Sequence, residues 1–246
     1  MARLLSRQNQ TEAAIHQHRH TLDLARRTGD RYNLARVYSN LGYLYVECGR
    51  WWRAEVLCWA ALRIFEQLDS WHGQAHTHNH LGILHLRQYH WEPAQRHLER
   101  ACELWQAMND DHGLMRGYVN LSWLHAEAER PEEALAYSHK ALKQAEITGE
   151  ASEAAAIFVN MSYAYRLQGQ PAEAEHYARQ AATLYRRYSN TRYLASAWVN
   201  LGEALLDQNQ TEKARSYLES ALTEFRALNY AYGEIRALLA LIKYGQ

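Results

Sequence analysis

The sequence predicts an all-α solenoid of stacked antiparallel helix pairs, on three observations. The segments SNLGYLYVECGRWWRAE, NHLGILHLRQYHWEPAQ, VNLSWLHAEAERPEEAL, VNMSYAYRLQGQPAEAE and VNLGEALLDQNQTEKAR recur at one interval of 40 residues. A period in that range marks units that bury their apolar faces against their neighbours. Each copy spaces its apolar residues for a helix, as Leu34, Val37, Tyr38, Leu41, Leu44 and Tyr45 show. Only 12 Gly and 3 Pro interrupt 246 residues rich in good helix formers.

Small residues set the register. Gly42, Gly82, Ser122, Ser162 and Gly202 mark the first helix of each pair. Ala54, Ala94, Ala134, Ala174 and Ala214 mark the second, followed by Ala61, Ala101, Ala141, Ala181 and Ala221. On this register the chain reads as one array: an incomplete first unit at 1–29, units at 30–68, 69–108, 109–148, 149–188 and 189–228, and a capping helix at 229–246. Met1 falls where Leu41 lies in the next unit, so the first unit lacks its opening turns, as in a piece of a longer protein. The pentapeptide QNQTE stands at Gln8–Glu12 and again at Gln208–Glu212, which predicts the same turn twice. In that reading Thr11 and Thr211 cap the second helices, with Glu12 and Glu212 in the first turns. Pro131 and Pro171 begin two further second helices, followed by Glu132, Glu133 and Glu173 at the positive end of the helix dipole. The closing stretch AYGEIRALLALIKYG carries the first-helix pattern alone.

Composition narrows the function. Lys plus Arg and Asp plus Glu number 27 each, so no net field draws the chain to nucleic acid or an anionic membrane. No apolar run spans a bilayer and MARLLSRQNQTE lacks the apolar core of a signal peptide, which together predict a cytoplasmic protein. Cys48, Cys58 and Cys102 have no C-x-x-C spacing, so they read as buried thiols rather than as a disulfide or zinc framework. There is no Gly-rich phosphate loop and no nucleophile elbow, so the chain does not read as an enzyme and calls for no cofactor.

The residues Tyr38, Leu41-Gly42, Tyr45, Ala54 and Ala61, and in the last unit Trp198, Leu201-Gly202, Leu205, Ala214, Leu218 and Ala221, resemble the tetratricopeptide repeat. The unit is longer than the common 34 residues, with additions such as LDSWHGQ and ITGEASE, and His85 and His125 replace the second aromatic. Longer units of this kind resemble those of kinesin light chains, bacterial peptide-pheromone receptors and the sensor arms of MalT-like and other STAND regulators. The resemblance implies a right-handed superhelix whose first helices line a concave groove. It also implies a protein- or peptide-binding scaffold as the function, or alternatively a sensor or autoinhibitory part of a larger signalling regulator.

On that expectation, three rows of side chains run along the groove. The first is Asn40, His80, Asn120, Asn160 and Asn200, the second Arg36, His76, Arg116, Ala156 and Ser196, the third Tyr43, Ile83, Trp123, Tyr163 and Glu203. A carboxamide can bond both the C=O and the N–H of an extended peptide, or equally the backbone of an adjacent helix. Tyr43, Trp123 and Tyr163 suit ligand side chains or packing between first helices. Arg36, Arg116 and Arg236 would favour an acidic side chain or a terminal carboxylate, on a peptide, a partner protein or another domain of the same full-length protein.

Two aromatic groups stand apart. His76 and His80 are four apart on one helix face, a spacing that can chelate zinc, but no carboxylate or thiol completes the ligand set. A metal or enzymatic protein built on this cluster is the weakest third reading, ahead of which comes a polar groove with pH sensitivity. His16 and His20, on a second helix, should face solvent. Trp51 and Trp91 share one repeat position, with Trp52 nearby, and read either as an interface to another domain or copy or as packing.

Overall fold

The computed structural model describes residues 2–149, 153–228 and 230–244, with side chains described from Ala13 to Lys243. Among the described residues there are twelve α-helices and no strand. They are α1 (Ala2–Thr28), α2 (Arg31–Glu47), α3 (Trp51–Gln67), α4 (Trp71–Arg87), α5 (Trp91–Ala107) and α6 (Asp111–Glu127). Then follow α7 (Pro131–Thr148), α8 (Ala154–Leu167), α9 (Pro171–Arg187), α10 (Thr191–Asp207), α11 (Thr211–Ala227) and α12 (Ala231–Tyr244). The fold class is the expected α-solenoid of helix pairs. No described helix is long and apolar enough to cross a membrane.

The connections obey a shorter period than the sequence shows. A left-handed residue recurs every 20 positions: Gly29, Gly49, Asp69, Tyr89, Asn109, Glu129, Gly149, Gly169, Ser189 and Asn209. The next amide donates back across the helix end, as Arg50 N–H does to Tyr45 O at 2.8 Å and Gln210 N–H to Leu205 O at 2.9 Å. That bond, with Gly49 N–H to Val46 O at 3.0 Å, closes the helix in a Schellman motif. The donor residue is also the N-cap of the following helix, so the connections α2–α3 and α10–α11, for example, are complete in three residues. Asp30, Ser70 and Asp110 cap α2, α4 and α6 by accepting the amides of Asn33, Gly73 and Gly113 at 3.0, 3.3 and 2.8 Å.

This geometry corrects the reading of QNQTE. At the second copy Asn209 makes the turn, Gln210 is the N-cap without a side-chain bond, and Thr211 is already helical, so its hydroxyl does not cap. Glu212 does lie in the first turn. At the first copy the backbone stays helical from Ala2 to Thr28, and no turn forms at Gln8–Glu12. Left-handed backbone costs a non-glycine residue about 1–2 kcal/mol. The side chains of Thr11 and Glu12, and part of the junction ITGEASE, lie outside the described residues.

The chain divides into two compact units, one of Arg7–Leu124 and one built on His125–Gln246. In the first, α2 packs on α3, α3 on α4 and α4 on α5, and the first helices α2 and α4 also touch. In the second, α7 to α12 pack in sequence, with α8 on α10 and α10 on α12. The Leu-Gly pair explains the closeness within hairpins. A Cβ on Gly42 would lie 2.4 Å from Cys58 Sγ, and one on Gly202 would lie 2.6 Å from Leu218 Cγ. Only glycine or another small residue lets the two helices meet there; Ser162, at the same position, donates to Ala174 O at 2.8 Å. Cys58 and Cys102 are buried, and burial pushes the Cys58 thiol up to about 12; Cys48 is exposed, contrary to expectation, because it sits in a connection.

Candidate functional site

In the first row His80, Asn120 and Asn200 each reach back 41 residues to the preceding first helix. His80 Nδ1 lies 3.0 Å from Ser39 Oγ, Asn120 Nδ2 donates to Asn79 Oδ1 at 2.8 Å, and Asn200 Nδ2 donates to Val159 O at 3.0 Å. Asn160 and Asn200 are buried, whereas Asn40 and Asn120 are half-buried. Arg236 Nη2 donates to Asn200 Oδ1 at 3.1 Å, so protein groups occupy both ends of that carboxamide. Asn200 therefore clamps α10 to α8 and also receives Arg236 of α12. His80 is packed against Tyr43, ring centroids 5.0 Å apart. Burial, then His76 and Arg116, hold its pKa down to about 3, so it is neutral at pH 7.

In the second row Arg36 is exposed, and His76 lies between two neighbours. Its Nδ1 is 2.9 Å from Arg116 Nη2 and its Nε2 3.2 Å from His72 Nε2. A guanidinium only donates, so Nδ1 accepts and the imidazole is neutral. Burial first, then Arg116 and His72, lower its pKa to about 4. The charge of this row at pH 7 thus comes from arginine. Arg116 also stands 5.8 Å from the centre of the buried Trp105 ring. Ala156 and Ser196 bring no charge to the row in residues 125–246.

The third row differs between the units. Trp123 lies under Arg87, whose guanidinium is 4.7 Å from the ring centre and 3.7 Å from Glu47. Tyr163 sits between Arg166 and Arg236, at 5.7 and 5.9 Å. Glu203 pairs with Arg236 at 3.1 Å and Arg166 at 3.6 Å, and Arg166 with Asp207 at 3.7 Å. Burial opposes the charge of Arg236, but Glu203 and its other neighbours hold its pKa above the ordinary value. Arg236, expected to anchor an acidic ligand with Arg36 and Arg116, has Glu203 as its ion-pair partner within the protein.

The histidine pair does not converge. His76 points to His72 and Arg116, His80 to Ser39 and Tyr43. Among the described residues no group of three or more His, Cys, Asp or Glu is placed to hold a metal. A second cluster lies between α4 and α5: His78 Nδ1 is 2.9 Å from His97 Nδ1, and His97 stacks on His85 at 5.5 Å. His16 and His20 are exposed, Trp51 and Trp91 are half-buried, and Trp52 is 73% exposed. Ser39, Asn79, Arg166 and Asp207 lie outside the three rows, and Glu203, in the third row, had been given no role. The available signal was a polar residue one place before the row, at Ser39 and Asn79, on an otherwise apolar face.

A tetratricopeptide-repeat family model matches residues 35–107 and 153–227, more than half of the chain. The protein belongs to the tetratricopeptide-repeat family. No curated protein sequence matches it. Among solved structures it is similar to a Rap protein complexed with competence and sporulation factor, with a TM-score of 0.76 at 15% identity over 87% of this chain and 59% of that one. It is similar to NprR in complex with its cognate peptide NprX, with a TM-score of 0.75 at 13% identity over 98% and 69%. A signal transduction ATPase with numerous domains (STAND), carrying a tetratricopeptide-repeat sensor, from Pyrococcus horikoshii, superposes with a TM-score of 0.65 at 14% identity over 87% and 36%. The chain thus spans about a third of the length of the STAND protein and under two thirds of the Rap protein.

Proposed function

We propose that the chain binds an extended peptide or flexible partner segment carrying an acidic side chain or a C-terminal carboxylate, along the first helices of residues 7–124. One observation carries this reading: among the described residues, neither Arg36 nor Arg116 lies within ion-pair distance of a carboxylate. A carboxylate is the complement of an arginine fork, and His76, being neutral at pH 7, takes one N–H of Arg116 without cancelling its charge. Tyr43 and Trp123 supply apolar contacts, and the half-buried Asn40 and Asn120 supply carboxamides to the ligand main chain. Asn160, Asn200, Tyr163 and Arg236 act in this reading as scaffold. The shared fold of Rap and NprR, each solved with a bound factor or peptide, supports it.

The test is selection from a random peptide library displayed with free C-termini, against the wild type and an Arg36→Glu, Arg116→Glu double variant. Wild type should enrich peptides with Asp, Glu or a required free C-terminus, binding the variant about tenfold or more weakly. Enrichment indifferent to acidic groups, or equal binding by both proteins, overturns the reading. The overlap with about a third of a STAND chain favours a second reading, a sensor arm of a larger regulator. In that case the selected peptide would change nucleotide hydrolysis by the full-length protein.

A further inference from the structure

The second helices offer an internal control for surface chemistry, because equivalent positions recur on each. On α3 the outward positions are Trp52, Val56 and Trp59, exposed by 73%, 48% and 46%. The corresponding positions are Glu92, Arg96 and Glu99 on α5, and Glu212, Ser216 and Glu219 on α11. Solvent is the ordinary environment of this position, and α3 departs from it with two indoles. Trp52, Glu55, Val56, Trp59, Ala60 and Arg63 line a shallow groove of about 440 Å³. The Trp59 ring rests edge-on against His97 of α5 at 5.6 Å, which fixes its orientation while nearly half of it stays in solvent.

The charges on this face are arranged symmetrically about Trp59. Glu55 lies four residues before it and Arg63 four after, about 6 Å each way along the helix axis. A helix with an acid, an aromatic and a base at that spacing is complementary to itself when reversed. We propose that the outer face of α3 is a docking surface for a second copy of this chain, paired antiparallel about a two-fold axis at Trp59. Glu55 then faces Arg63 of the other copy on both sides of the axis, as an isologous contact requires. The two Trp59 rings meet at the centre, and Ala60 leaves room beside each. Helices packed at an interaxial distance of about 8–10 Å bring these groups into contact. Trp52 and Val56 extend the apolar strip on either side.

Sedimentation velocity over a wide concentration range tests the proposal, with circular dichroism to show that each variant keeps its fold. The wild type should dimerise reversibly. Glu55→Arg alone or Arg63→Glu alone places like charges face to face twice, and Trp59→Glu places two carboxylates on the axis. Each should weaken the dimer about tenfold or more. Glu55→Arg combined with Arg63→Glu restores complementarity and should return the dimer to near wild-type strength. Three results overturn the proposal: a wild type that stays monomeric throughout, a dimer indifferent to all these changes, or a double variant no stronger than the singles.

Discussion

Arg116 and Arg236 occupy the same repeat position in the two units, and they end in opposite electrostatic states. The residue 33 positions earlier decides the difference. For Arg236 it is Glu203, which pairs with the guanidinium at 3.1 Å. For Arg116 it is Ile83, buried and apolar, and the guanidinium meets a neutral imidazole at 2.9 Å instead. The solenoid register fixes where a cation stands. One side chain on the preceding first helix fixes whether that cation is free for a ligand. Residues 7–124 therefore offer charge outward, while residues 125–246 spend theirs on a network of Arg166, Glu203, Asp207 and Arg236.

Acid should separate the units most strongly. In residues 7–124, burial, with nearby cationic groups, lowers His76, His78 and His97 to about 4 and His80 to about 3. An unfolded imidazole binds its proton below about pH 6.5, whereas these folded ones stay neutral until about pH 4 or lower. The unfolded state thus binds more protons across that window, and stability falls as pH drops from about 6.5 toward 4. Each group contributes on the order of 1 kcal/mol by pH 5, and together a few kcal/mol, less than their sum because the imidazoles interact. Hydrogen exchange followed by mass spectrometry at pH 7 and pH 5, corrected for intrinsic rates, should show α4 and α5 losing protection ahead of α9 to α11. Uniform loss in both units contradicts the assignment.

A smaller effect tests the switch between free and neutralised arginine directly. Ile83→Glu should give Arg116 the partner that Arg236 has, and so cost the protein about tenfold in binding to acidic peptides chosen by library selection. Glu203→Ile should leave that binding unchanged, because residues 125–246 do not carry it in the proposed reading. Titration by fluorescence anisotropy with one selected peptide compares all three proteins, and undiminished binding by Ile83→Glu removes Arg116 from the ligand site.

How much of this was legible in the sequence depends on which contacts are made by the residue that recurs. The Leu-Gly register was legible, because a Cβ at Gly42 or Gly202 collides with the facing second helix and the sequence must say so each time. The 20-residue connection was not. Its left-handed residue is Gly at only some copies, and Tyr89 and Glu129 carry no turn signature. The row of Asn and His was visible as a row, but its purpose lay in partners 41 residues back, such as Ser39 and Val159 O, and a backbone carbonyl leaves no trace in sequence. Glu203 was placed in the third row without a role, and it is the acid that closes the network of the second unit. QNQTE shows the limit from the other side: one pentapeptide is a connection at Gln208–Glu212 and continuous helix at Gln8–Glu12.

The mildest test concerns that row, and it asks whether Asn40 and Asn200 do the same job. Asn200 is buried, donates to Val159 O and accepts from Arg236, so Asn200→Ala strands a buried carbonyl and deprives a guanidinium of an acceptor. A cost of about 1–3 kcal/mol follows, because unsatisfied buried groups forfeit their hydration without recompense. Asn200→Asp should recover part of this loss, since the carboxylate still accepts from Arg236 although it can no longer donate to Val159 O. Asn40 is half-buried, and among the described residues its side chain makes no hydrogen bond, so Asn40→Ala should change stability by no more than a few tenths of a kcal/mol. Urea unfolding of the three variants gives both numbers, and the peptide titration supplies the other half of the contrast. If Asn40 serves the ligand and Asn200 the fold, Asn40→Ala weakens peptide binding at unchanged stability and Asn200→Ala does the reverse. Equal destabilisation by both would mean that the row clamps helices throughout, and the ligand would then rest on the arginines and aromatics alone.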